Sequence, residues 1–265
     1  MSRIEHVGDS GNISIEDDRN SDYGPVDQAD VDRVKEVLDA LTDTERQLLE
    51  KGGFKKVRFR DLPIEDTGLT PDCPDENYGD INLNKGNLGD IKRTLNHEIG
   101  HAIDELLGEA EGKDRFHDSD KWKNALYEDG VHRQLFPGSV PPGGDRAVQI
   151  YDNKPEELIG DLQMAEAEIR NGRPNTASNY SGLTAKQLSD LYPATLQALK
   201  DGKQNASAHI GDISDENRPC GDEPANIYQR VIREGWRNYR KTLAVPGHDP
   251  LILDLDGNGI ETSSV

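Results

Sequence analysis

The chain has 265 residues, 33% of them hydrophobic, 5% aromatic and 31% charged, with 26 Gly and 14 Pro, which suits a packed middle flanked by long polar loops. A net charge of −20 repels phosphate backbones and so excludes nucleic acid as a partner, while drawing basic partners inward. No apolar run is long enough to span a bilayer, and "MSRIEHVGDSGNISIEDDRNSD" lacks the apolar stretch of a secretory signal.

Residues 1–25 read as a flexible polar arm, with at most a short strand at "NISIE". Val31, Val34, Val37, Leu38 and Leu41 then recur at helical spacing and predict a helix near 28–40. Thr42 followed by Glu45 is a capping-box pair, which predicts a second helix over 43–51 ending at Gly52 and Gly53. "FKKVRFR" alternates apolar and basic residues, as a half-buried strand over 54–60 does. After a loop rich in Pro, Asp and Gly, "GDINLN" predicts an edge strand, with Ile81 and Leu83 on one face and Asn82 and Asn84 on the other.

The next helix, from Asp90 to Leu107, buries Ile91, Leu95, Ala102, Ile103 and Leu106. Helices are also expected over 118–129, from Pro155 to Arg170, over 184–202 as one or two pieces, and over 223–243. "LFPGSVPPGGD" is expected to be a loop. Cys73 and Cys220 sit in similar turn-rich settings, and one bridge between them or two free thiols fit equally well.

The chemistry concentrates in "TLNHEIGHAIDELLG", where His97-Glu98-Ile99-Gly100-His101 is an HExxH motif. On a helix the i and i+4 side chains stand one above the other, so both imidazoles reach one tetrahedral ion. Glu98 is then placed to take the proton of a metal-polarised water. An exposed helix with two solvated histidines is the plain alternative. The amphipathic pattern and the preceding strand favour a metal site, and Asp104 is a candidate to orient a ligand histidine.

A third ligand has to come from elsewhere. The metzincin continuation is excluded, because Asp104 and Leu107 occupy the positions where it needs Gly and His; a thermolysin-type "NExxSD" segment is also absent. On the helix that "YDNKPEELIG" opens, the acids Glu157 and Asp161 lie four apart beside the face made by Leu158, Leu162, Ala165 and Ile169. Glu157 is the best-placed donor, although a first-turn acid also complements the helix dipole on its own account, and Asp161 is a candidate to support the site beside it.

These features together resemble the anthrax lethal factor-like zincins, a gluzincin group that includes the Pro-Pro endopeptidases. The resemblance covers residues 28–170 and rests on "LTDTERQLLEKGGFKKVRFRD", "GDINLN", "HEIGHAID", "SDKW" and the Asn-x-Pro-x-Glu segment ending at Glu157. It implies an α+β zincin-like fold, mainly helical, with a small mixed sheet. It also implies zinc held by His97, His101 and Glu157 (with Glu156 as the neighbouring choice), and Glu98 as the catalytic base. A tyrosine before the glutamate ligand serves the oxyanion in that family. Tyr151 is the nearest match, one position from the expected place, which Ile150 holds. The strand Ile81, Asn82, Leu83 and Asn84 would bind an extended peptide by strand addition.

The tail "DPLILDLDGNGIETSSV" presents Asp254, Asp256 and Asn258 before Gly259, the opening ligand positions of an EF-hand-type Ca²⁺ loop, but has Val265 where the closing Glu would stand. It resembles segments of haemolysin-related calcium-binding exoproteins. The expected organisation is therefore an arm (1–25), a metallopeptidase domain (26–244) and a truncated calcium-loop segment (245–265), secreted as part of a larger protein. The expected activity is zinc endopeptidase action on a protein substrate with a basic segment, by a monomer. The alternatives are a calcium-binding adhesin segment with an inert HExxH, or a self-processing module.

Overall fold

The computed structural model describes residues 4–63, 66–71, 79–113 and 115–209, together with the backbone at 252–253 and 259–260. Cys73, Cys220, the helix expected over 223–243 and the calcium candidates Asp254, Asp256 and Asn258 lie outside the described residues. The chain divides into two units, Met1–Ile213 and Ser214–Val265.

The first unit is α+β. It opens with strands β1 (Ile4–Ser10) and β2 (Ile13–Asp18), then helices α1 (Gln28–Asp39) and α2 (Asp43–Lys51). Strands β3 (Lys56–Arg60), β4 (Gly68–Leu69) and β5 (Asp80–Asn84) lead into the long helix α3 (Ile91–Ala110). Helices α4 (Asp120–Leu135), α5 (Gly144–Asn153), α6 (Pro155–Arg170), α7 (Ala185–Leu191) and α8 (Pro193–His209) complete it. In the second unit, β6 (Ile252–Leu253) pairs antiparallel with β7 (Gly259–Ile260).

The five strands form one mixed sheet in the order β1-β2-β3-β5-β4. The central strands β2, β3 and β5 run parallel, and β1 and β4 close the edges antiparallel. Register aligns Ile15 with Val57 and Ile81, and Phe59 with Leu83, so one face is apolar and buried. Beside it Arg58 is held between Glu16 and Asp80, at 3.0 and 2.9 Å.

Two expectations change here. The polar N-terminus is the β1–β2 hairpin, and it enters the sheet because "ISIED" alternates: Ile13, Ile15 and Asp17 are buried, with Asp17 2.7 Å from Lys85 Nζ. Ile81, Asn82, Leu83 and Asn84 do not form the edge. All four are buried in β5, which is covered by β4, leaving β4 as the outer strand.

Local sequence accounts for the helix starts. The Thr42–Glu45 capping box opens α2, and Asp90 accepts from the Arg93 N–H at the start of α3. Pro155 opens α6, and a second capping box, Thr184–Gln187, opens α7. The start of α8 is capped from outside: buried Asp129 accepts from the backbone N–H groups of Ala194 and Thr195, both at 2.9 Å. Helix α5 was not expected, and α4 runs further than its predicted 118–129. Helix α3 packs against α1, α2, α6, α8 and β5, so much of its polar side, including His97, Glu98 and Asp104, is buried as well.

Candidate metal centre

The expected stripe of α3, Ile91, Leu95, Ala102, Ile103 and Leu106, is buried. A neighbouring face, carrying Thr94 and His97, and Glu98 beside it are covered by α6 and the β4 region. Helices α3 and α6 meet at two glycines. A methyl group on Gly100 would lie 2.6 Å from Gly160 Cα, and one on Gly160 would lie 2.6 Å from His97 Cε1. Only bare backbone lets the helices come this close, and the approach carries Glu157 and Asp161, one turn apart on α6, to the histidines.

Three donor atoms converge there. His97 Nε2 lies 3.0 Å from His101 Nε2 and 3.1 Å from Glu157 Oε2, and His101 Nε2 lies 3.7 Å from that same oxygen. A tetrahedral ion with ligand bonds of about 2.0–2.1 Å needs its donors roughly 3.3 Å apart. The spacing brackets that value, and two imidazoles with one carboxylate suit a zinc-type ion. His97, His101 and Glu157 are the one such group among the described residues. Glu157, rather than its neighbour Glu156, is the acid brought to the histidines.

Asp161 sits behind His97, with Oδ1 2.9 Å from Nδ1. With the Nδ1 proton held by this carboxylate, His97 would offer Nε2 to an ion on giving up the proton it shares there with Glu157. Asp161 is itself held by hydroxyl donors from Tyr151 and Ser178. Tyr151 therefore does not serve the place expected of it. It is 3% exposed, it spends its hydroxyl on Asp161, and its oxygen lies 2.9 Å from Ser181 Oγ.

The tyrosine that does face the donors is Tyr180, from the turn between α6 and α7. Its ring stacks on His97 with centroids 5.3 Å apart, its hydroxyl hydrogen-bonds Glu157, and it is 39% exposed. Lys154 Nζ lies 5.6 Å from the same ring. Sequence reading missed Tyr180 because it follows Glu157 in a polar loop; its one signal was an aromatic residue in "ASNYSG".

Asp104 also takes another partner. It accepts from the His117 backbone N–H at 3.0 Å and pairs with His117 Nδ1 at 2.6 Å, so it orients His117, and Asp161 orients the ligand-type histidine instead. Burial opposes a charge on His117, but the hydrogen bond and charge of Asp104, together with the charge of Asp118, outweigh it and raise the imidazole pKa.

The electrostatics of the pocket follow from burial and close acids. Burial pushes the Glu98 carboxyl up to about 7, only partly offset by His97 and Thr70. Burial would lower His97, yet its hydrogen bonds to Asp161 and Glu157 hold it at about 10, whereas burial and the neighbouring His97 push His101 down to about 4. Burial would raise Glu157, but the hydrogen bond and charge of His97, with His101 and Tyr180, together keep it below the usual carboxylate range. A carboxyl poised near neutrality beside a three-donor cluster is suited to general acid–base work.

The fold and site thus define an α+β protein whose long helix and a later helix assemble a two-histidine, one-glutamate candidate metal site. Set against known proteins, the chain matches no family model, no curated protein and no solved structure.

Proposed function

We propose that the chain is a zinc-dependent endopeptidase of the lethal factor-like zincin kind, the protease domain of a larger secreted protein. The observation that carries this is the convergence of His97, His101 and Glu157, with the Glu98 carboxyl close enough to feel His97 and Glu157. Zinc held by those three residues would supply a Lewis acid that brings the pKa of a water to about 7 and polarises the peptide carbonyl.

The remaining work falls to the chain's own side chains. Glu98 takes a proton from the attacking water and passes it to the departing amine. Asp161, fixed by Tyr151 and Ser178, keeps His97 oriented with Nε2 toward the donors. The Tyr180 hydroxyl, which donates to Glu157, would turn from that carboxylate to donate to the carbonyl oxygen as negative charge builds on it. An extended substrate would add as a strand along the outer edge of β4 rather than β5. The net charge of −20 favours a basic segment in that substrate. The resemblance of the tail around Asp254, Asp256 and Asn258 to calcium-binding exoproteins supports export.

The test is a cleavage screen on a proteome-derived peptide library with the zinc-loaded full chain and its Glu98→Gln variant. Cleavage by the wild type, reduced about 10²- to 10⁴-fold in the variant at unchanged zinc content, is expected. No cleavage by the wild type, or equal cleavage by the variant, rules out peptidase function.

A further inference from the structure

Glu98 needs more than a place on α3 to act as a base. Its side chain can rotate about several bonds, and its two carboxylate oxygens are chemically equivalent until the surroundings distinguish them. The surroundings that do so come from the outer strand. Thr70, the residue directly after β4, is buried, with Oγ1 3.0 Å from Glu98 Oε2 and 2.9 Å from the Glu98 backbone carbonyl. Two residues earlier, Gly68 lies against the other oxygen: a methyl group there would sit 2.7 Å from both Oε1 and Cγ of Glu98. The one Thr70 proton is shared between Oε2 and the Glu98 backbone carbonyl, so the segment offers Oε2 a hydroxyl and sets only the bare backbone of Gly68 against Oε1.

We infer that Thr70 is a positioning residue for the general base, its hydroxyl engaging Oε2 of Glu98 and so committing Oε1 to the proton it takes from water and returns to the departing amine. This rests on the proposed peptidase function. The proton leaves water for Oε1 and leaves Oε1 for the amine nitrogen, and the Thr70 proton stays on its own oxygen throughout. Because Thr70 continues the strand proposed to pair with substrate, the same few residues set the peptide's path and the direction of the base.

The test uses the full chain with Thr70→Val, which keeps the shape and removes the hydroxyl, and Thr70→Ser, which restores it. On a peptide the wild type cleaves, Thr70→Val should lower kcat about 10- to 100-fold with KM nearly unchanged, and Thr70→Ser should recover most of the loss. An arm free of turnover loads the protein with Co²⁺ and follows acetohydroxamate binding by its visible spectrum. That ligand surrenders a proton to the base as it binds, so Thr70→Val should weaken it roughly tenfold and Thr70→Ser should not. Equal binding and turnover in wild type and Thr70→Val would overturn the inference. So would equal losses in both variants, or loss of bound cobalt in Thr70→Val. A wild type that cleaves nothing while the cobalt arm still separates Val from Ser would count against the peptidase function and leave the Thr70 assignment standing.

Discussion

At the scale of single residues, the site depends on side chains that are missing as much as on those that are present. Gly160 brings bare backbone against the His97 ring, while Asp161 holds one edge of that ring and Tyr180 covers a face. In Gly160→Ala the added methyl would meet Cε1, Nδ1 and Nε2 of His97 at 2.6 to 2.8 Å. Alanine is the better helix former by about 1 kcal/mol, so helix content should persist. Zinc affinity, read by competition with a chromophoric chelator, should fall about 10- to 100-fold, as when a ligand's supporting contacts are disturbed. Undiminished affinity would show that His97 is not clamped as described. HExxH spacing made His97, Glu98 and His101 legible in the sequence, and an acid on a Pro-started helix made Glu157 legible. The tyrosines were not. Which of them faces the donors depends on how the chain returns after α6, a matter of loop packing that no spacing rule encodes.

At the scale of elements, α3 and α6 were legible because long amphipathic patterns with marked starts survive tertiary context. Strand β4 is two residues long inside a Pro- and Asp-rich loop, so nothing announced that it would cover β5. Helix α5 is short and follows a Pro/Gly run. The tie between α2, α6 and α8 was equally hidden. Glu45, read as a capping residue, is also buried against Lys203 at 3.0 Å and Gln163 at 2.7 Å, with Arg170 Nη2 at 3.0 Å. Burial would raise its pKa, but these partners bring it from 4.5 down to about 2. A lowered folded-state value means the stabilisation is complete above about pH 4.5 and drains as the pH falls toward 2. Lys203→Met should therefore cost roughly 3–5 kcal/mol in urea melts at pH 7, since it leaves a buried carboxylate short of a partner. The difference from wild type should shrink toward pH 2. A loss below about 1 kcal/mol at pH 7, or one that grows on acidification, would contradict the role given to this pair.

At the scale of the whole molecule, the acidic character divides in two. Asp17, Glu45, Asp129, Asp161 and Glu168 are buried acids with hydrogen-bonded partners, so part of the net −20 organises the interior and the rest meets solvent. Composition could report the total but not this partition, just as it could not show that a polar N-terminus supplies Ile13 and Ile15 to the core. Among the described residues no helix is long and apolar enough to cross a membrane. What the first unit does achieve is to set one buried helix, α3, against a second, α6, so that residues 60 positions apart, His97 and Glu157, share a hydrogen bond. The most direct test is metal content by elemental analysis after dialysis against trace zinc, for the wild type and for Glu157→Ala. The wild type should hold about one zinc per chain, as a three-donor site with an open position does, and Glu157→Ala should lose most of it while staying folded. A wild type without zinc, or a Glu157→Ala variant that binds it as tightly, would contradict the account.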